Sequence, residues 1–446
     1  MINTLKSYDP SNGELLGELP VCDQTQITET LQHAKLAAKS WRQLNIVDRV
    51  DAIKVAYQQM LDDEDKLSEL LSREMGKDIR RAAGEVGGAI HSSAYLADEA
   101  MTALQTQRLG YGTELHYKAL GVVAVISPWN YPVMMANNLI VPALVAGNSV
   151  ILKPSEQTPL IADAFFEHLS KHLPAGVFNI IHGDGEVGEL LVKSDVNLIA
   201  FTGSQAVGKK IMAAAASQVK RLLMELGGND PMIVMSNANI EQAARFAVGS
   251  SFENAGQMCT STERIYVNQT IADQFEQRVV AIASQYKTGA WNQPGVNIGP
   301  IINAHQYAKI IAHISDAKEK GAQVLLGGHG QDQRYIQPTV ISQVNRNMKM
   351  EHEETFGPVV SITRYSNIDQ AIEWANDSNY GLGAAVFGTE GVEAVASQLE
   401  AGMIGINQGP GGGGDAPWVG AKQSGFGFHG SAEGHRQFAQ VSVLSK

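Results

Sequence analysis

The feature that most narrows what this chain can become is an alternation of short apolar runs with helical stretches, broken once near the middle. "LHYKALGVVAVISP" and "SVILKP" read as strands. A helix is expected from about Leu160 to Leu173, then the strand "VFNIIHG", a helix near 186–193 and the strand "VNLIAFTG". A second series starts at Asp230: "PMIVMS", helix 239–250, "RIYVN", helices 271–286 and 303–320, "VVSITRYS", helix 368–376, "GAAVFG" and "GMIGIN". Such alternation predicts parallel sheets with helices on both faces. Two series flanking "LLMELGGND" predict two α/β domains with a hinge at 227–230. The crevice between such domains is the default place for a ligand. Residues 23–105 carry apolar side chains at three- and four-residue spacing and are expected to be helical.

Composition excludes several function classes. The chain has 446 residues, enough to bury large cores without covalent staples, and its 44% hydrophobic content is too high for disorder. A net charge of −12 with no long basic run argues against nucleic-acid or anionic-membrane partners. The N-terminus lacks an apolar signal core and no apolar run reaches membrane-spanning length, so a cytoplasmic protein is expected. There are only two cysteines, Cys22 and Cys259. Neither has a histidine or second cysteine at ligand spacing, so no metal site is expected. Two cysteines cannot build a disulfide framework. Cys259, in "ENAGQMCTSTERIYV", is therefore either a small filler or a nucleophile.

Four further stretches carry possible chemistry. In "NLIAFTGSQAVGKKI" Gly203 and Gly208 flank Ser204 at a strand-to-helix turn, where backbone can approach a phosphate at a helix N-terminus. The same glycines can serve conformation alone. In "ILKPSEQTP" Lys153 and Glu156 sit at a strand end, able to bond ribose hydroxyls or to be two solvated charges. Asn130 in "VISPWNYP" can donate to an oxyanion or cap a turn. Glu225 in "LLMELGG" has few polar neighbours, so it lies either at the surface or in a desolvated pocket suited to a general base.

In order, Pro128-Trp129-Asn130, Lys153-Pro154-Ser155-Glu156, Phe201-Thr202-Gly203-Ser204, Glu225-Leu226-Gly227-Gly228, Gly256-Gln257-Met258-Cys259, Gly299-Pro300 and Glu354-Thr355-Phe356-Gly357-Pro358 resemble the aldehyde dehydrogenase superfamily. The resemblance spans essentially the whole chain. It implies a Rossmann-like cofactor domain (1–106 and 121–227), an α/β catalytic domain (228–425), and a small β oligomerisation element (107–120 and 426–446). Cys259 would attack the aldehyde to give a thiohemiacetal, with the Asn130 amide and the Cys259 N–H as oxyanion hole. Hydride transfer to nicotinamide would leave a thioester, hydrolysed by water that Glu225 activates. Lys153 and Glu156 would hold the adenosine ribose, and Gly203, Ser204 and Gly208 would lie along the pyrophosphate. Glu354 would hold the nicotinamide ribose beside Phe356, and Trp129 and Leu226 would also touch the cofactor. Glu156 would repel a 2′-phosphate, so NAD is expected, with NADP as the alternative. Glu225 also separates this chain from CoA-acylating relatives, so a free acid is the expected product.

The substrate is less defined. Relatives acting on dicarboxylic semialdehydes often carry an arginine where this chain has Asn138. A succinate-semialdehyde enzyme using NADP is thus the alternative reading, and a cysteine-dependent esterase the alternative class. Met134, Met135 and Met258 suggest adaptable apolar walls. Pro417-Trp418-Val419-Gly420 replaces the usual Pro-Phe-Gly-Gly, and the glycines of "GPGGGG" (409–414) are expected to form a mobile lip. The hairpin near 107–120 and the terminal "FAQVSVLSK" resemble an intersubunit sheet, so a homodimer or homotetramer is expected.

Overall fold

The computed structural model describes residues 3–411, 413 and 415–446. Residues 412 and 414 of the glycine run, and the mobile lip expected there, lie outside the described residues. Two largely parallel sheets organise the α/β fold. The first runs, by position in the sheet, Gly425–Phe426, Arg221–Leu226, Leu198–Gly203, Val122–Ile126, Ser149–Lys153 and Phe178–Ile180. The pairings are parallel except for Gly425–Phe426, which joins the edge antiparallel. Val122–Ile126 and Ser149–Lys153 are buried at every position. Helices cover both faces, so these strands read as continuous apolar runs rather than alternations.

The second sheet has seven strands in the order Gln323–Leu326, Thr339–Ser342, Val359–Tyr365, Thr262–Asn268, Asp230–Val234, Gly383–Phe387 and Met403–Ile406. Only the first of these pairs antiparallel. A small third sheet joins Ala439–Ser445 to Thr113–Ala119 and Gln107–Arg108 within the one chain. The N-terminus adds a two-stranded hairpin, Thr4–Tyr8 with Leu15–Pro20.

Connectivity places the ends that matter. The strand order of the first sheet reverses between Val122–Ile126 and Leu198–Gly203, which opens a crevice beyond their carboxyl ends. Arg221–Leu226 ends in that region. Two glycines later Asp230–Val234 begins the second sheet, with Asp230 paired to Thr262. The end of one sheet thereby faces the start of the other, and Cys259 lies three residues before Thr262.

A buried ion pair supports one wall of this crevice. Lys77 and Glu85, with side chains 0% and 1% exposed, bond each other beneath the 127–133 loop. Lys77 Nζ also donates to the Asn130 carbonyl (2.8 Å) and sits 3.8 Å from the Tyr131 ring centroid. Glu85 Oε1 accepts the N–H groups of Val133 (3.0 Å) and Met134 (3.2 Å), where the helix Met134–Val145 begins. Removing one member leaves a buried charge without its partner. Glu85→Ala is expected to cost about 3–5 kcal/mol, read as a lower denaturant midpoint with unchanged slope. A change below about 1 kcal/mol would show that the pair does not hold this wall.

Candidate active site

Glu225 and Cys259 meet where the two sheets abut. Glu225, 4% exposed, is the penultimate residue of its strand. Its carboxyl stands beside the Cys259 thiol, close enough for each to shift the other's titration. It also accepts the Trp418 indole N–H at 3.3 Å. Burial pushes this carboxyl up to about 7, against the pull of Cys259 and Trp418, and Glu354 adds repulsion. The Cys259 thiol is pushed well above its ordinary range, first by burial and then by Glu225, Asp230 and Glu354. In the free protein Cys259 is therefore a protonated thiol beside a carboxyl poised near neutrality.

The turn carrying Cys259 is conformationally unusual. Asn254, Ala255 and Gly256 have φ of 50°, 58° and 72°. At Gly256 an added Cβ would lie 2.0 Å from the Gly357 carbonyl oxygen, so only glycine fits both the dihedral and the space. Asn130 lies across from this turn and is 6% exposed. Its Nδ2 donates to the Gln257 carbonyl at 3.0 Å, which occupies one amide hydrogen and leaves the second. Asn254 Nδ2 reaches the Asn130 carbonyl at 3.2 Å, so the two loops hold each other.

The expected cofactor residues line the carboxyl ends of the first sheet. Lys153 is 3% exposed, and its ammonium has an ion partner only in Glu156 at 3.6 Å among the described residues. Burial lowers the Lys153 ammonium against the pull of Glu156. Ser204 caps the helix Gln205–Ala216, where Val207 N–H reaches its hydroxyl at 3.4 Å. Leu226 leans on Gly208, where a Cβ would meet its Cδ2 at 2.7 Å; at Gly203 a Cβ would meet the Phe201 ring at 2.5 Å. The Ser127 and Thr202 hydroxyls, at the ends of the two switch-point strands, are buried without hydrogen-bond partners among the described residues. A buried ammonium with one distant partner, orphaned hydroxyls and a capped helix N-terminus form a donor set that fits a dinucleotide.

Glu354 sits on the opposite side, accepting the Gly228 N–H at 3.1 Å. Burial pushes its carboxyl up to about 7. Trp129 and Phe356 meet edge to face with centroids 5.5 Å apart. Phe356 holds a φ of 57°, rare for a bulky residue. The structure thus places Glu225, Cys259, Asn130 and Glu354 near the junction of the two sheets, and Lys153, Glu156, Ser204 and Gly208 at the carboxyl ends of the first sheet.

Sequence reasoning missed several supporting residues. Glu263 is 5% exposed and accepts the N–H groups of Thr355 (2.5 Å) and Phe356 (2.8 Å). Arg264, 1% exposed, clamps Asn229 and the 374–375 turn through carbonyls at 2.8–3.1 Å. Nothing in "STERIYV" marks two opposite charges as buried. Trp418 was visible as a departure from the usual phenylalanine, but its contact with Glu225 was not.

The sequence model of the aldehyde dehydrogenase family matches residues 2–444. A probable succinate-semialdehyde dehydrogenase, NADP(+), of Sinorhizobium fredii is 38% identical over 456 residues, covering 98% of this chain and 91% of that protein. A 3-sulfolactaldehyde dehydrogenase of Pseudomonas putida is 35% identical over 459 residues, covering 99% and 93%. The crystal structure of an NAD-dependent aldehyde dehydrogenase from Sinorhizobium meliloti superposes with a TM-score of 0.94 at 30% identity, covering 99% and 91%. The chain belongs to the aldehyde dehydrogenase family and is an oxidoreductase acting on aldehydes.

A protonated Cys259 gives a direct expectation. Alkylation by iodoacetamide, measured in a Cys22→Ser background, should keep rising past pH 9 in the free enzyme. A plateau near pH 7 would contradict this electrostatic reading.

Proposed function

We propose that the protein converts an aldehyde to the free carboxylic acid through a covalent intermediate on Cys259. The observation that carries this reading is the half-buried Cys259 thiol beside the buried Glu225 carboxyl, with the Asn130 amide on the facing loop. Glu225 accepts the thiol proton, and the sulfur adds to the aldehyde carbon to form a thiohemiacetal. The Asn130 amide and the Cys259 backbone N–H donate to the oxygen as it gains charge. Oxidised nicotinamide, when bound, supplies the acceptor for the hydride that leaves this carbon. Glu225 releases that proton to solvent, then takes one from water as that water attacks the thioester and passes it to the departing sulfur, releasing the acid and restoring the thiol. A carboxyl held near 7 suits both proton transfers.

Lys153 and Glu156 would hold the adenosine ribose, Gly203, Ser204 and Gly208 would border the pyrophosphate, and Trp129, Leu226, Glu354 and Phe356 the nicotinamide half. Glu156 beside Lys153 favours NAD through repulsion of a 2′-phosphate, with NADP as the second cofactor. The relatives' names favour small aldehydes bearing an anionic or polar tail. Asn138, half-buried on the helix Met134–Val145, offers an amide where an arginine would grip a carboxylate, which favours polar, uncharged tails over carboxylate tails.

We assign 1–106 and 121–227 to cofactor binding, 228–425 to catalysis, and 107–120 with 426–446 to assembly. Val441, Val443 and Leu444 are exposed on the terminal strand, which supports a homodimer or homotetramer through that edge. No helix among the described residues is long and apolar enough to cross a membrane. A nucleophile kept as a free thiol suits the reducing cytoplasm.

The test is reduced-cofactor absorbance at 340 nm across semialdehydes, hydroxyaldehydes and aliphatic aldehydes, with NAD and NADP. Turnover should vanish in Cys259→Ala and fall about 10²–10³-fold in kcat for Asn130→Ala. Undiminished turnover in Cys259→Ala would overturn the reading.

A further inference from the structure

The Trp418 indole N–H reaches the Glu225 carboxylate at 3.3 Å, a hydrogen bond that a phenyl ring in its place could not make. We propose that Trp418 is a positioning residue for the catalytic base, its indole N–H fixing the Glu225 carboxylate beside Cys259. This rests on the reading of Glu225 and Cys259 given above.

The donor is delivered by a framework tied to Glu225 itself. Trp418–Val419 pairs antiparallel with Phe428–His429, with Trp418 opposite His429. Between these arms, Gly425 and Phe426 pair with Glu225 and Met224. Ser424 Oγ donates to the Gly227 carbonyl at 2.7 Å and accepts the Gly381 N–H at 3.0 Å, fastening the segment to the turn after Glu225. One short stretch thus holds the backbone of Glu225 with one part and its side chain with another. His429 lies behind the indole with ring planes 18° apart, and the residue is 3% exposed. Burial, helped by His435, pulls His429 down to about 4, so no imidazolium stands behind the indole at neutral pH.

The groups that face Glu225 are Cys259, Trp418, Glu354 and Asp230. None is a cation. Trp418 donates a hydrogen bond to the carboxylate at 3.3 Å and the Cys259 thiol stands beside it, and the thiol proton disappears during the reaction. Once Cys259 is acylated it has no S–H, and the Trp418 N–H is the donor that remains while Glu225 activates water. An indole N–H that bonds the carboxylate favours its ionised, basic form.

Trp418→Phe keeps the ring and removes the N–H. The rising limb of the kcat–pH profile should move alkaline by about half a pH unit to one pH unit. Thioester hydrolysis at pH 7 should slow about three- to tenfold, while the acylation burst keeps its amplitude. A residue that merely packs would alter KM or stability and leave the limb in place. A second measurement needs no folded Trp418 variant: in protein with 15N-labelled indoles, one Nε1–H resonance should titrate near pH 7 in the wild type and not in Glu225→Gln. An unmoved limb in folded Trp418→Phe, or no titrating indole, would overturn the proposal while leaving Glu225 as base. Undiminished turnover in Glu225→Gln would overturn the base itself and this proposal with it.

Discussion

Taking carboxylates out of water is the constraint around which this crevice is built. Glu225 and Glu354 are pushed up to about 7, and Asp230 and Glu263 to about 8, in each case chiefly by burial. An isolated carboxylate in such surroundings would neutralise or unfold its setting. The protein answers with donors taken from different loops: Trp418 for Glu225, Gly383 for Asp230, Thr355 and Phe356 for Glu263, and Gly228 for Glu354. Each acid therefore pins one segment against another. The glycines nearby follow from the same crowding, since a Cβ at Gly227, Gly228 or Gly383 would lie within 2.6 Å of a carboxylate oxygen or the Cys259 carbonyl.

The price of aiming Cys259 is backbone strain. Asn254, Ala255 and Phe356 hold left-handed φ values that cost about 1–3 kcal/mol each for residues with a side chain. Asn254 and Ala255 persist because Gln257 over-determines the turn, its amide donating to the Asn254 carbonyl (3.2 Å) and accepting the Ile302 N–H (3.0 Å), while Phe356 is held by Glu263 and Gln306. The Lys77–Glu85 pair does the same for the facing Asn130 loop from below. Nucleophile and oxyanion donor thus sit on two loops that are stiff for separate reasons and are bonded to each other.

Much of this was legible in the sequence. The helix expected at 368–376 is Ile368–Asn376, and that expected at 303–320 is Ala304–Glu319, because both carry strong apolar periodicity and asparagine caps. The strands of the first sheet were readable because burial on both faces makes them continuously apolar. Thr4–Tyr8, Leu15–Pro20, Gln323–Leu326 and Thr339–Ser342 were not read as strands. The first three are edge or hairpin strands with mixed polarity, and Thr339–Ser342 is only four residues long. Motif order pointed to Cys259, Glu225 and Asn130. It could not reveal Glu263, Arg264 or the Lys77–Glu85 pair, because burial of a charge depends on partners 8 to 111 positions away that only the folded chain brings close.

The central claim is that substrate carbon becomes covalently bound to Cys259 and that Glu225 is needed to release it. Intact-protein mass spectrometry of Glu225→Gln, mixed with aldehyde and oxidised cofactor at alkaline pH, where the Cys259 thiol ionises without its base, and quenched in acid, tests both halves at once. The account predicts an adduct of one acyl group per chain, mapping to the peptide that contains Cys259 and absent without cofactor. Unmodified protein that nevertheless produces acid at the wild-type rate would contradict it.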